Sequence, residues 1–278
     1  QYCFNQLVPG YFYRPGQNTS GCGNDVASER SMVSKFIVDS VKYWAEEYHL
    51  DGFRFDLMGI LDVDTMNAVR AAVDTVDPSI IIYGEGWNMG CQSTKSGTLF
   101  ANYTNAAETP GIAYFSDTIR DMIKGSVFDA AEKGYVNGDT KHYKAIINTV
   151  QYTKKWCPSP EQIINYADCH DNLTLWDKIR SSNADDSEED QIRQNNLAAV
   201  IIQTAQGVPF MMSGEEFLRT KTLASGAFDH NSYASPDYVN ELDYSRAADY
   251  ADVYNYYKGL IEFRKAHPAF RMTDAAEV

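Results

Sequence analysis

From about Glu29 to His49, apolar residues fall at Met32, Val33, Phe36, Ile37, Val41, Trp44, Ala45 and Tyr48. That is the i, i+3/i+4 spacing of one helix face, and it predicts a helix with a single buried stripe. Gly52-Phe53-Arg54-Phe55-Asp56-Leu57 then reads as a short strand. A second helix follows from about Val63 to Val76, with Met66, Val69, Val73 and Val76 in phase, Asp62 or Asp64 as N-cap, and Pro78 just past its end. Ile80-Ile81-Ile82-Tyr83 is a continuous apolar run, the pattern of a parallel strand covered on both faces. Two strand–helix units thus recur with a period of about 30 residues, which predicts an α/β fold.

The rest of the chain continues this alternation less regularly. Residues 1–28, rich in Gly, Pro and Asn, read as a long ordered loop with one short strand near Tyr11-Phe12-Tyr13. Gly111–Asp117 reads as a strand leading into a short helix through Arg120 and Met122, and Ile163–Ala167 as another strand. The acidic run Asp185–Asp190 reads as a solvated loop. Its charge suits the N-terminus of the helix that follows, which carries Leu197, Val200, Ile201, Thr204 and Ala205. Pro209–Ser213 is the last strand candidate. A final helix over Ala251–Ala266 carries Val253, Tyr257, Leu260, Ile261 and Arg264, and Pro268 ends it. This makes about five strand–helix units, although the length would suit a whole eight-unit barrel of ~250 residues.

Composition narrows the function classes. With 24 basic against 38 acidic side chains the net charge is −14, which disfavours binding to nucleic acid or to an anionic membrane surface. No apolar run approaches the ~20 residues of a membrane span. At 44% hydrophobic and 13% aromatic residues, the chain is of the globular type. Cys3, Cys22, Cys91, Cys157 and Cys169 show no CxxC spacing, and the five histidines show no HExxH, so no metal site is expected. The odd, scattered cysteines favour free thiols and a reducing compartment, with a Cys3–Cys22 bridge left open.

Three acidic residues each close a predicted strand at its C-terminal end: Asp56, Glu85 in Tyr83-Gly84-Glu85-Gly86-Trp87, and Asp171 in Asp168-Cys169-His170-Asp171-Asn172. Side chains at that edge of an α/β sheet converge on one ligand face. Asp56 and Glu85 lie one strand–helix–strand step apart, and neighbouring strands are ~4.8 Å apart. Their carboxyls therefore suit the ~5–5.5 Å separation of a retaining glycosidase pair. Arg54 shares a strand face with Asp56 and would keep it ionised. Gly84 and Gly86 would leave room for a sugar against Glu85, and Trp87 would offer a stacking face and partial desolvation. Taken singly, each residue has an ordinary structural explanation. Asp56 could serve as a cap, Glu85 could sit in a tight turn, His170 could be hydrogen-bonded in the core, and Trp87 and Trp176 could be packing residues. The combination is what points to chemistry.

These segments resemble the α-amylase superfamily, glycoside hydrolase family 13, and within it most closely the type I pullulanases. Asp51–Gly59 resembles the segment bearing the nucleophile, Tyr83–Trp87 the segment bearing the acid/base, and His170–Asp177 the segment with the second aspartate. Val8–Arg14, Gly21–Asp25, Ser28–Arg30 and Ser213–Lys221 match as well; Glu215 stands where that group often has Gln. The resemblance implies a partial (β/α)8 TIM barrel comprising roughly the last five strand–helix units. Residues 1–28 would follow a missing third strand, 29–270 would form units four to eight, and 271–278 would begin a missing C-terminal domain. It implies retaining hydrolysis of α-1,6 branch linkages in pullulan, starch or glycogen-derived α-glucans. Asp56 would be the nucleophile, Glu85 the acid/base and Asp171 the transition-state stabiliser, with Arg54, His170, Trp87, Asn172 and Trp176 in substrate contact. No organic cofactor is implied, and calcium is left open because relatives often bind it through residues outside this segment. The compartment, cytoplasmic or secreted, is also left open. An α-1,4-acting amylase or glucanotransferase, or a non-catalytic amylase-like binding module, are the alternatives. A partial barrel on its own is expected to be poorly stable and inactive.

Overall fold

The computed structural model describes residues 3–152 and 157–278. Gln1 and Tyr2, the start of the expected N-terminal loop, lie outside them. Five short strands among the described residues alternate with helices, and the chain divides into two compact units. The first comprises Gln1–Phe115 with Lys155–Ile163, and the second Ser116–Lys154 with Ile164–Val278.

The first unit contains helix α1 (Cys3–Leu7), α2 (Ser31–Tyr48), strand β1 (Gly52–Phe55), α3 (Val63–Asp74), β2 (Ile81–Gly84) and β3 (Ile112–Phe115). The expected loop before α2 thus opens with a short helix, and its predicted strand is a single antiparallel bridge, Tyr13 to Val26. Asp62 caps α3 by accepting from the Thr65 amide at 2.9 Å, and Val63, Met66, Val69 and Val73 turn into the core. The stripe on α2 divides. Val33, Val41 and Ala45 are buried, and α2 packs on α3. Met32, Phe36, Trp44 and Tyr48 remain 43–57% exposed. The apolar arc is broader than the seam of one helix pair, so a single neighbour covers only part of it.

The ladder is parallel, with Gly52 opposite Ile81 through Phe55 opposite Gly84, and Ile82 opposite Ile112. All four residues of β3 are buried, whereas β2 alternates and Ile81 is exposed, so β2 is not covered on both faces as its apolar run suggested. A buried ion pair ties the loops to this layer. Arg14 binds Glu29 at 2.9 Å and donates to the Ile60 carbonyl at 2.8 Å, with both charged side chains almost fully shielded.

The second unit holds α4 (Asp117–Lys124), α5 (Tyr143–Val150), most of β4 (Ile163–Asn165), α6 (Leu175–Ser182), α7 (Glu188–Thr204), β5 (Val208–Pro209), the single-turn helices α8 (Asp237–Asn240) and α9 (Arg246–Asp249), and α10 (Ala251–Ala266). The acidic run is partly helix: Ser187 caps α7, and Glu188, Glu189 and Asp190 form its first turn, where they complement the helix dipole. The last strand is only two residues long, pairing Ile164 with Val208 and Asn165 with Pro209. Proline lacks the donor a longer ladder would need.

One apolar cluster joins Ile119, Ile123, Ile146, Leu175, Ile179 and Ile202, and another joins Trp176, Ala199, Leu218, Val253 and Tyr257. Arg264 of α10 donates to the carbonyls of Gln203, Ala205 and Gly207, satisfying oxygens that the end of α7 leaves open.

Candidate active site

Asp56 and Glu85 each follow directly on a paired strand, so the β1–β2 register carries them past the ladder side by side. The Arg54 guanidinium touches both. Its Nη1 lies 3.1 Å from Asp56 Oδ1 and its Nη2 2.8 Å from Glu85 Oε1. Asp56 is 70% exposed while Glu85 retains 11%. The chain turns sharply at Leu57, whose φ of 45° lies in the left-handed region, and there its amide donates to Glu85 Oε2 at 2.9 Å. Both oxygens of Glu85 are therefore held by donors, and one arginine serves as counter-ion to two acids.

The glycines beside Glu85 do something other than admit a ligand. A Cβ on Gly84 would lie 2.6 Å from the Phe55 carbonyl and 2.8 Å from the Met58 side chain, and one on Gly86 would lie 2.2 Å from the Tyr114 ring. The space expected for a sugar at these two positions is filled by protein, because the strands and the buried Tyr114 close on the backbone. Trp87 is half-buried and meets Tyr103 edge to face at 5.6 Å, while Tyr103 donates to the Phe115 carbonyl at 2.8 Å. The polar partners of the Glu85 carboxylate are Arg54 and the Leu57 amide.

Behind this edge, Glu29 binds Arg14 and also accepts from the Thr94 amide at 3.0 Å. Burial alone would push its carboxyl up. The hydrogen bonds from Arg14 and Thr94 outweigh burial and hold it at about 2.

In the second unit, His170 and Asp171 sit on the loop between β4 and α6. Both side chains are more than half exposed, with His170 Nε2 3.6 Å from Asp171 Oδ1. The loop is mounted on buried charges. Lys221, 1% exposed, donates to the His170 carbonyl and, at 3.0 Å, to that of Asn172. Asn172, which carries the second of these carbonyls, takes a left-handed φ of 62°. Lys124 reaches the Leu173 carbonyl at 3.4 Å, and Lys178 donates to the carbonyls of Ser126 and Asp129. Burial pushes all three ammonium groups down, reinforced at Lys221 by neighbouring Arg219. Asp168 accepts from the Leu175 amide at 2.6 Å. Asp177 accepts from Thr220 at 2.5 Å and from the Lys221 amide at 2.7 Å. Burial raises the Asp177 carboxyl, and these donors offset only part of that rise.

Trp176 does not offer a substrate platform. It is 3% exposed and packs with Ala199, Leu218, Val253 and Tyr257, because the second residue of α6 turns toward α7 and α10. The three buried lysines are the residues that sequence reasoning passed over, since an isolated lysine reads as surface. A faint signal exists for Lys178, which lies one helical turn from Leu175 and beside Ile179. Lys221 lies in irregular chain and has none. The five cysteines are thiols. Among the described residues, no cluster of three or more His, Cys, Asp or Glu side chains is arranged to hold a metal ion, and no helix is long and apolar enough to cross a membrane.

Residues 11–246 match the family described as alpha amylase, catalytic domain. The chain is 41% identical to the pullulanase of Bacillus subtilis strain 168 over 99% of its own length and 39% of that protein. It superposes on a solved pullulanase of Anoxybacillus sp. LM18-11, complexed with maltotetraose, with a TM-score of 0.92 and 47% identity, covering 98% of this chain and 40% of the other. Against the type I pullulanase of Bacillus subtilis strain 168 complexed with maltose, the TM-score is 0.92 at 40% identity, covering 99% and 39%. The α/β alternation is that of part of a (β/α)8 barrel. The chain spans about two-fifths of the length of these relatives.

Proposed function

The chain belongs to the alpha-amylase family, and on that premise we propose that it carries the reacting groups of a retaining glycoside hydrolase cleaving α-1,6 branch linkages in pullulan and related α-glucans. The observation that supports this most is the bridging of Asp56 and Glu85 by one arginine at the ends of adjacent parallel strands. Two carboxyls sharing one guanidinium at neighbouring strand ends supply the paired acids that the mechanism requires, and retention follows from the family resemblance. Asp56, the more open of the two, attacks the anomeric carbon. Glu85 protonates the departing glycosidic oxygen and then takes a proton from the water that releases the sugar from Asp56. Arg54 has only donors to offer, so delivery of a proton from Glu85 Oε1 requires that contact to open, leaving the guanidinium with Asp56. On the resemblance of His170–Asp177, Asp171 stabilises the oxocarbenium-like transition state and His170 grips sugar hydroxyls. Asn172 and Trp87 are weaker contact candidates.

The specificity for branch linkages rests on the pullulanase relatives, including structures described with maltose and maltotetraose. Because the chain spans about two-fifths of these relatives, its action on pullulan is expected to need the rest of a barrel around it. Product analysis on pullulan is the test. The full-length protein should release maltotriose, and Glu85→Gln should lower kcat by about 10²- to 10⁴-fold. Undiminished turnover in that variant would remove Glu85 from its role, and products other than maltotriose would replace debranching with α-1,4 cleavage or transfer.

A further inference from the structure

Directly behind the His170–Asp171 loop, two buried carboxyl groups meet without a visible donor between them. Glu215 is 6% exposed and Asp168 2%. Each has one oxygen accounted for: Glu215 Oε1 accepts from Tyr257 Oη at 3.0 Å, and Asp168 Oδ2 accepts from the Leu175 amide at 2.6 Å. The second oxygen of each, Glu215 Oε2 and Asp168 Oδ1, is fully enclosed with no partner when both groups are anionic. The two side chains are nevertheless within hydrogen-bonding reach of one another. Two enclosed, unsatisfied carboxylate oxygens in contact would add the desolvation penalty of each to their mutual repulsion. One proton between them removes both defects.

The surroundings decide where that proton resides. Asp168 is faced by the Lys124 and Lys221 ammonium groups and the Arg219 guanidinium as well as the Leu175 amide, Lys124 acting more strongly on Asp168 than on Glu215. Glu215 is faced by Tyr257 from α10, by Lys124 from α4, and by Asp168 from the segment after β4. The donors form a directed chain. Asn195 Nδ2 of α7 donates to Tyr257 Oη at 3.1 Å, and Tyr257 donates to Glu215. The next link, from Glu215 to Asp168, exists only if Glu215 is the acid.

We infer that Glu215 is held as the neutral acid, donating from Oε2 to Asp168 Oδ1, and that this carboxyl–carboxylate pair is a positioning element for the loop bearing His170 and Asp171. Asp168 begins that loop and, through the Leu175 amide, also grips its end. Loss of the proton places a second negative charge against Asp168 in an enclosed space and releases the hold. The loop then has an alkaline limit set by a residue that touches no substrate. Burial and the neighbouring Asp168 both push the Glu215 carboxyl well above its ordinary range, Lys124 and the Tyr257 hydroxyl opposing them. The positioning half of the inference rests on the role proposed above for Asp171; the protonation half does not.

The test compares native full-length protein with Glu215→Gln, whose amide can donate to Asp168 and accept from Tyr257 but cannot titrate in this range. In kcat/KM on pullulan against pH, the native alkaline limb should fall more steeply than that of Glu215→Gln, which keeps only the limb set by the general acid Glu85, the two agreeing within about twofold below it. Tyr257→Phe removes a donor that favours the anion, so its limb should move to higher pH. Melting temperature supplies a readout independent of activity. A carboxyl whose folded pKa is raised contributes stability that is complete below its unfolded pKa and lost as pH rises through the folded value. The advantage of Glu215→Gln over native should therefore be absent in acid and widen with rising pH, to about 3 °C or more. A melting difference that is flat in pH overturns the protonation. A pH-dependent melting difference with an identical alkaline limb in both proteins overturns the positioning role. Absence of any action on pullulan would instead discard the proposed function, and the melting series would still decide the proton.

Discussion

The two compact units present acidic side chains by different means. In the first, Asp56 and Glu85 extend directly from paired strands, so the ladder itself sets their spacing and one partly exposed arginine supplies the counter-charge. In the second, Asp171 stands six residues beyond the end of β4, out of reach of any ladder. There the loop is braced from beneath by buried side chains: Lys221 and Lys124 on its carbonyls, Asp168 across its two ends. A strand end inherits the precision of the sheet. A loop has to acquire its own, and it does so here with enclosed charges that end on backbone carbonyls and on one another. Such groups are costly to desolvate unless every hydrogen bond is made.

This contrast can be broken by experiment. The largest expected effect is at Asp56. Because its side chain is 70% exposed and its position comes from the strand, Asp56→Asn should lower kcat on pullulan by about 10⁴-fold. It should leave unfolding free energy within ~0.5 kcal/mol of native; a large loss of stability in denaturant titration would show the acid to be structural after all. Lys221→Met should behave oppositely, lowering both quantities. Two part-buried carbonyls lose their donor, for about 1–3 kcal/mol of stability, and displacement of the loop should cost about 10- to 100-fold in kcat/KM. Full activity with normal stability would show that the loop needs no brace.

A smaller effect tests whether buried charge in the first unit is scaffolding too. Glu29 is held at about 2 against an ordinary value of 4.5, so its contribution is complete above the ordinary value and lost as pH falls from there toward the folded one. The melting temperature of native protein should converge on that of Glu29→Gln over that interval and exceed it at neutral pH. A gap that stays constant in acid would contradict the assignment. The smallest effect is Asp62→Ala, which removes the α3 cap and should cost about 1 kcal/mol in chemical denaturation with kcat unaltered.

Much of this was legible in the order of residues. The period of the apolar positions predicts α3 within two residues at its end and α10 at both ends. The step from Phe53-Arg54-Phe55-Asp56 to Tyr83-Gly84-Glu85 places two carboxyls on neighbouring strands, because a parallel crossover leaves few other arrangements. Chain composition alone also set the acidic charge. The tertiary structure decided what filled the space. It put Tyr114 against Gly86, turned Trp176 inward, and left part of the α2 stripe exposed. It also enclosed Lys124, Lys178, Lys221, Asp168 and Glu215. Periodicity reports which side of an element is apolar, a local property. Whether a charge is buried, and what answers it, depends on residues dozens of positions away, as when Tyr257 meets Glu215 and Lys221 meets His170.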